Sequence, residues 1–246
     1  MGHGAGAGQY IEAMGWARWM REAAAATPAR CEVCHAWPAQ PVCGACRTQF
    51  AQARHRCRLC ALLLPDGAAV CGRCAQSPPP LDACHAAVSY AYPWSGLVSR
   101  FKFAGQAGWA GAFAELMLAS SELRQEIAAA RWLVPMPLSR ERLAGRGFNQ
   151  AHELARRLAP AKADARLAVR VRDTAPQAGL DRAARLSNLR HAFALEPART
   201  AEVPGQAVVL VDDVMTSGAS LFALAQVFRQ AGAARVSAAV LARTED

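Results

Sequence analysis

The chain has 246 residues, 53% of them apolar, and a formal net charge of +9, enough to bury one ordinary domain with a smaller module beside it. No stretch approaches the ~20 uninterrupted apolar residues of a membrane span. Met1 to Gly8 lacks the basic start and apolar core of a signal peptide, and Gly6 excludes the myristoylation pattern, so a cytoplasmic location is expected.

In chain order, residues 9–25 set Tyr10, Ile11, Met14, Ala17 and Trp19 among polar residues, a helix able to pack on a neighbouring module. Eight of the nine cysteines then fall into four identically spaced pairs: Cys31/Cys34, Cys43/Cys46, Cys57/Cys60 and Cys71/Cys74. Two intervening residues let both thiolates of a pair reach one tetrahedral ion from a tight turn, so four pairs make two complete sites. Zinc fits best; thiolates alone do not distinguish it from an iron–sulfur cluster. Sequential pairing is the simplest, and spacing leaves an interleaved one open. Four protein ligands leave no position for water, which makes both sites structural. Ser77-Pro78-Pro79-Pro80 reads as a stiff linker. The expected organisation is therefore a helical segment at 1–29, a double cysteine module at 30–76, a linker at 77–82 and a main domain at 83–246.

Within the main domain, strands are expected at Ala86–Tyr92, Trp132–Val134, Leu167–Arg172, Val208–Val211 and Val236–Leu241. Helices are expected at Trp94–Phe103, Gly108–Leu118, Asn149–Leu158 and Asp181–Arg190. Such alternation implies an α/β fold with a mainly parallel sheet and helices on both faces. Residues 131–190 hold 13 basic and 5 acidic side chains, a field that can steer a polyphosphate, hold nucleic acid or merely be solvated. In that region, the segment from Met136 through Pro137, Leu138, Ser139 and Arg140 to Gln150 leaves a buried strand as a loop. Arg140, Arg142 and Arg146 in it can clamp a diphosphate, because guanidinium forks match phosphate oxygens.

The most informative stretch is Val208 to Ser220. Four apolar residues end in Asp212 and Asp213, a loop of small and hydroxyl residues follows, and an apolar-periodic helix begins near Leu221. This is the order in which an α/β sheet offers a phosphate site at its carboxyl edge. Gly218 lets backbone approach an anion, Thr216, Ser217 and Ser220 supply donors, and the acids can take vicinal hydroxyls or a hydrated cation. A ribose 5-phosphate fits. A response-regulator receiver also pairs acids after a strand, but after Asp213 the only acids are Glu245 and Asp246, so no later phosphorylated Asp exists.

This stretch resembles the phosphoribosyl-diphosphate (PRPP) motif of type I phosphoribosyltransferases. The resemblance implies that Asp212 and Asp213 bind the ribose 2′ and 3′ hydroxyls, with Val214 between them and a 5-phosphate loop of Met215, Thr216, Ser217, Gly218, Ala219 and Ser220. It narrows to the ComF family on the four CxxC pairs, Phe101-Lys102-Phe103 with Gly105, Pro135-Met136-Pro137-Leu138 and Arg146-Gly147-Phe148-Asn149-Gln150. Arg172, Thr174, Gln177, Leu180, Arg182, Arg185, Asn188 and Phe193 also match, so the likeness covers about residues 30–243. The family usually has Val where Met136 stands and His where Ser139 stands. The resemblance implies a Rossmann-like, type I phosphoribosyltransferase-like fold with a small N-terminal zinc ribbon domain. It also implies two structural zinc ions, Mg²⁺ with PRPP, and phosphate contacts from Lys102, Pro137, Leu138, Ser139 and the three arginines. The family role is natural transformation, with single-stranded DNA and DNA-uptake proteins as partners. No general base is evident, so transfer of phosphoribose to an unknown acceptor stands beside a non-catalytic DNA-binding or PRPP-sensing role.

Overall fold

The computed structural model describes residues 29–37, 39–103, 106–171 and 192–245. The expected helices at 9–25 and Asp181–Arg190 lie outside them, as do Gly105 and the matching positions from Arg172 to Asn188. The chain divides into two compact units, Met1–Arg47 and Thr48–Asp246. In the first, Ala29 and Ala39 form an antiparallel bridge around a turn at Glu32–Cys34. Helix α1 (Gly44–Phe50) begins in the first unit and ends in the second. Helix α2 (Gly72–Gln76) and the Pro-rich stretch at 77–82 belong to the second.

The second unit is built on a four-stranded parallel sheet of β1 (Ala83–Ser89), β2 (Trp132–Pro135), β5 (Ala207–Met215) and β6 (Arg235–Arg243), in the order β1-β6-β5-β2. Strands buried on both faces read as continuous apolar runs, which is why Val208–Val211 and Val236–Leu241 were legible as strands. Both extend further than their apolar runs: Asp212 pairs with Val240 and Met215 with Arg243, so the acid pair lies within β5 and not beyond its end. The edge strand β1 starts three residues before its expected position, its register set by Ala83 opposite Ser237.

β1 leads through α3 (Trp94–Phe103), α4 (Trp109–Met117) and α5 (Ser121–Ala129) to β2. Then come α6 (Arg140–Arg146) and α7 (Gln150–Leu158). The expected strand at Leu167–Arg172 is β3 (Ala168–Arg170), and it lies outside the main sheet. It pairs antiparallel with β4 (Phe193–Leu195). A 3₁₀ turn (Pro197–Glu202) precedes β5, and α8 (Ala219–Gln230) links β5 to β6.

Alternate side chains of β5 point to opposite faces. Val208 and Leu210 share one apolar cluster with Leu221, Leu224 and Phe228 of α8, and the four cysteines Cys57, Cys60, Cys71 and Cys74 are buried in that same cluster. Helix α7 packs against β2 and β5, and α4 packs on α7 and β6.

Candidate functional site

Three segments meet at the carboxyl end of β5. The first is β5 itself, where Asp213 is 6% exposed and its N–H donates to Asp212 Oδ1 at 2.9 Å. The second is the end of α3, from which Lys102 Nζ reaches Asp213 Oδ1 at 3.0 Å. The third is the α6–α7 junction. There Arg146 Nη1 donates to Gln150 Oε1 at 3.0 Å, and Gln150 Nε2 donates to the Lys102 carbonyl at 3.4 Å. Burial, then the charge of Asp213, pushes the Asp212 carboxyl upward, and the ammonium of Lys102 opposes them. Burial also lowers the Arg146 guanidinium, against the pull of Asp213 and Asp212. Two carboxylates and two cations thus share one partly desolvated pocket edge.

The structure brings together Lys102, Arg146, Asp212 and Asp213 from the expected set. Arg140 and Arg142 do not lie in a loop: residues 140–146 form α6, and both side chains are exposed. The helix forms because Ser139 caps it, accepting from Arg142 N at 3.2 Å, and Gly147 at φ 77° ends it. The Ser139 hydroxyl therefore serves a cap, while Pro137 and Leu138 are half-buried where the chain leaves β2. Gln150 was missed as a site residue. It is 1% exposed and relays Arg146 to the backbone of α3; its buried amide directly after a helix-capping Asn is the signal that was available. Asn149 accepts from the N–H groups of Ala151 and His152 and donates to the Met136 carbonyl, tying α7 to the end of β2.

Beyond Asp213, Val214 is half-buried and Met215 ends the strand. Thr216, Ser217 and Gly218 form the connection to α8, with Thr216 exposed, Ala219 buried and Ser220 half-buried. Gly218 adopts φ +79°, and a Cβ there would lie 2.4 Å from Met215 Cε and 2.7 Å from Phe222 Cζ. The left-handed φ and the Met215 and Phe222 side chains packed against this position favour glycine here. The first-turn N–H groups of α8 have no intrahelical acceptor and present a partial positive charge; Ala219 N donates to Ser217 Oγ at 3.4 Å. At the rim, Phe103 is 72% exposed and the Arg146 guanidinium lies over its ring at 5.1 Å. A separate cavity of about 560 Å³, lined by Arg56, Cys84, His85, Met117 and Glu122 among others, shares no residue with this site.

The cysteines group sequentially: Cys31, Cys34, Cys43 and Cys46 in one cluster, Cys57, Cys60, Cys71 and Cys74 in the other, all sulfurs of a cluster within 4.8 Å of one another. That settles the pairing left open by spacing, and each donor set can hold a zinc ion as in a zinc ribbon. Against the upward pull of burial, backbone N–H groups of Cys34, Cys43 and Val33 hold Cys31 below its ordinary range, while burial and neighbouring thiols push Cys46 up. Cys43 N and Cys71 N each donate to the first sulfur of their own cluster, Cys31 Sγ at 3.4 Å and Cys57 Sγ at 3.3 Å. Among the described residues no helix is long and apolar enough to cross a membrane.

Residues 143–246 match the phosphoribosyl transferase domain family. The chain is 35% identical over 215 residues to the DNA utilization protein YhgH of Salmonella typhimurium, covering 82% of this chain and 90% of that one. The corresponding protein of Escherichia coli K12 is 32% identical over 209 residues, with the same coverage of each chain. Competence protein F of Haemophilus influenzae is 30% identical over 208 residues, again with 82% and 90% covered. The parallel sheet, the acid pair with its glycine cradle, the two four-cysteine clusters and this identity across most of the chain agree: the protein belongs to the ComF/YhgH family of phosphoribosyltransferase-domain proteins.

Proposed function

We propose that this chain binds PRPP with Mg²⁺ at the end of β5 and works in the cytoplasm on DNA utilization, in partnership with single-stranded DNA and DNA-uptake proteins. The observation that carries the ligand reading is the constellation of Lys102, Arg146, Asp212 and Asp213 beside the Gly218 cradle. The N–H groups at the start of α8 and the hydroxyls of Thr216, Ser217 and Ser220 take the 5-phosphate. Asp212 and Asp213 accept from the ribose hydroxyls. Lys102 and Arg146 hold negative charge at the diphosphate, with Arg140 and Arg142 of α6 able to close on it from solvent. The residues fit a magnesium-bearing ligand. Asp212 is half-buried and Asp213 buried, and burial and the neighbouring charge push the Asp212 carboxyl up, so a further cation beside Lys102 and Arg146 suits the pair. Mg²⁺ bound with PRPP supplies charge neutralisation on the leaving diphosphate.

The DNA assignment rests on what the relatives' names say of them. The proposed organisation keeps 1–29 as an N-terminal segment, 30–76 as the double ribbon, 77–82 as linker and 83–246 as the transferase-like domain. Calorimetric titration of the zinc-loaded protein with PRPP and Mg²⁺, beside the Asp212→Asn/Asp213→Asn variant, tests the reading. Saturable binding lost in the variant is expected, and pyrophosphate release in a screen of acceptors then separates turnover from sensing. No binding by the wild type overturns it.

A further inference from the structure

Arg243, the last residue of β6, is 1% exposed, and among the described residues no carboxylate pairs with it. A buried cation without a counter-charge is strongly disfavoured, so the charge that balances it must come from elsewhere. Its Nε donates to the carbonyl of Cys60 at 2.9 Å. Its Nη1 donates to the carbonyl of Met215 at 3.3 Å, to the Thr244 hydroxyl at 3.2 Å and to the Thr244 carbonyl. Cys60 belongs to the second four-cysteine cluster, and a divalent ion held by four thiolates carries a net charge of −2. Met215 is the residue at which β5 gives way to the Thr216–Gly218 connection.

We infer that Arg243 is a positioning residue that takes the buried tetrathiolate site as its counter-ion and, by bridging the Cys60 and Met215 carbonyls, fixes the start of the phosphate loop. Other contacts converge on the same point. Thr244 N donates to Met215 O at 3.1 Å, and Cys84 Sγ lies 3.6 Å from Met215 Sδ. Glu245 clasps the cysteine knuckle, accepting from Leu63 N at 3.0 Å and pairing with Arg56 at 2.9 Å. The second cysteine cluster, the segment at Leu63, residues 243–245 and the start of the loop form one connected unit. The guanidinium is needed because one planar fork serves two carbonyls on separate segments, whereas a lysine offers a single point donor. That the loop cradles a phosphate rests on the function proposed above; the bridge itself does not.

The test compares full-length, zinc-loaded wild type with Arg243→Lys and Arg243→Met. Its readouts are zinc per chain, hydrogen exchange of residues 214–221 by mass spectrometry, and PRPP–Mg²⁺ affinity by calorimetry. Arg243→Lys is expected to keep its zinc while residues 214–221 exchange roughly tenfold faster, as loss of a charge-assisted hydrogen bond implies, and PRPP binds about tenfold more weakly. Arg243→Met is expected to release its second zinc to a chelator faster as well. Unchanged exchange at 214–221 in Arg243→Lys overturns the inference. Failure of the wild type to bind PRPP removes the functional reading alone, because the exchange comparison still decides the bridge. Should both variants fail to fold, chelator titration of the wild type decides: exchange at 214–221 must rise in step with exchange at 57–74, and independent opening of the two overturns the inference.

Discussion

The two cysteine sites use the same spacing and reach different surroundings. In the first, Cys34 is exposed and Cys43 half-buried. In the second all four are buried, sharing a cluster with Leu210, Phe222 and Phe228 of the parallel sheet and its helix. A repeated motif thus supplies the paired ligands, but which pairs share an ion and how deeply they are buried are set by the fold. The consequence is energetic. A metal lost from a site with exposed ligands leaves thiols that water can solvate, whereas a metal lost from the second site leaves four polar groups inside an apolar core.

The sharpest way to break this contrast is to remove two ligands from each site in turn. Structural zinc contributes roughly 10 kcal/mol or more where it nucleates folding, which is comparable with the about 5–15 kcal/mol total stability of a domain. Cys60→Ser/Cys71→Ser is therefore expected to unfold the second unit. Cys34→Ser/Cys43→Ser is expected to lose one zinc and leave the thermal unfolding of the sheet essentially unchanged. Far-UV melts with zinc counts check both, and similar melts for the two variants would erase the contrast.

Lys102→Met acts from α3, a segment outside the cysteine cluster. It leaves Asp213 buried without its ion pair, which costs about 3–5 kcal/mol, and the loss is expected to be partly recovered by Mg²⁺ drawn to the bared acid pair. Urea unfolding with and without Mg²⁺ measures it; an unchanged midpoint would mean that the pair is worth no more than a surface contact. Gly218→Ala is smaller, about 1–2 kcal/mol, for the strained φ and the close approach to Met215 and Phe222. Met215 and Phe222 pack in the cluster that holds the second cysteine site. Gly218→Ala should therefore combine non-additively with Arg243→Lys, while Lys102→Met combines additively with it. A double-mutant cycle that shows the reverse would place the coupling on the other face of β5.

Much of this was legible because it depends on local pattern. The apolar run at Val208–Val211, the four CxxC pairs and the helix Trp94–Phe103 appear where periodicity and spacing put them. What was missed depends on partners far along the chain or on caps. The strand Ala83–Ser89 is made of small residues with no clear alternation, so its start comes from pairing with β6. Residues 140–146 read as a loop because of two glycines. Gly145 sits inside the helix and Gly147 ends it, with Ser139 opening it, so cap logic would have found it. The helix Ser121–Ala129 also begins at a serine cap, Ser120. At the site, the acid pair was visible as a motif. That Lys102 closes on Asp213 across 110 intervening positions, and that Arg243 lies under the loop, depend on the long-range fold.

The smallest expected effect concerns the edge strand β1, which lines the cavity of about 560 Å³. His85 Nε2 is buried without a hydrogen-bond partner. Burial depresses the imidazole below its ordinary range, and the charge of Arg235 adds to this, while Glu126 and Glu122 oppose them. Both glutamates are themselves held low, Glu126 chiefly by its bond from Arg235 and Glu122 by a backbone N–H and Ser120, so they stay ionised while His85 titrates. Above pH ~6.5 the imidazole is neutral in both native and unfolded chains and contributes nothing to the pH dependence. As pH falls through that value the unfolded chain gains a proton that the native chain resists, so stability drops. His85→Gln keeps a neutral polar side chain and removes this proton, so its unfolding free energy should fall less steeply than wild type between pH 7 and about pH 5.5. Protons also compete for the cysteine ligands in this range, and the comparison therefore holds only at equal zinc content. Equal slopes at equal zinc would assign the whole acid sensitivity to the metal sites and none to the sheet edge.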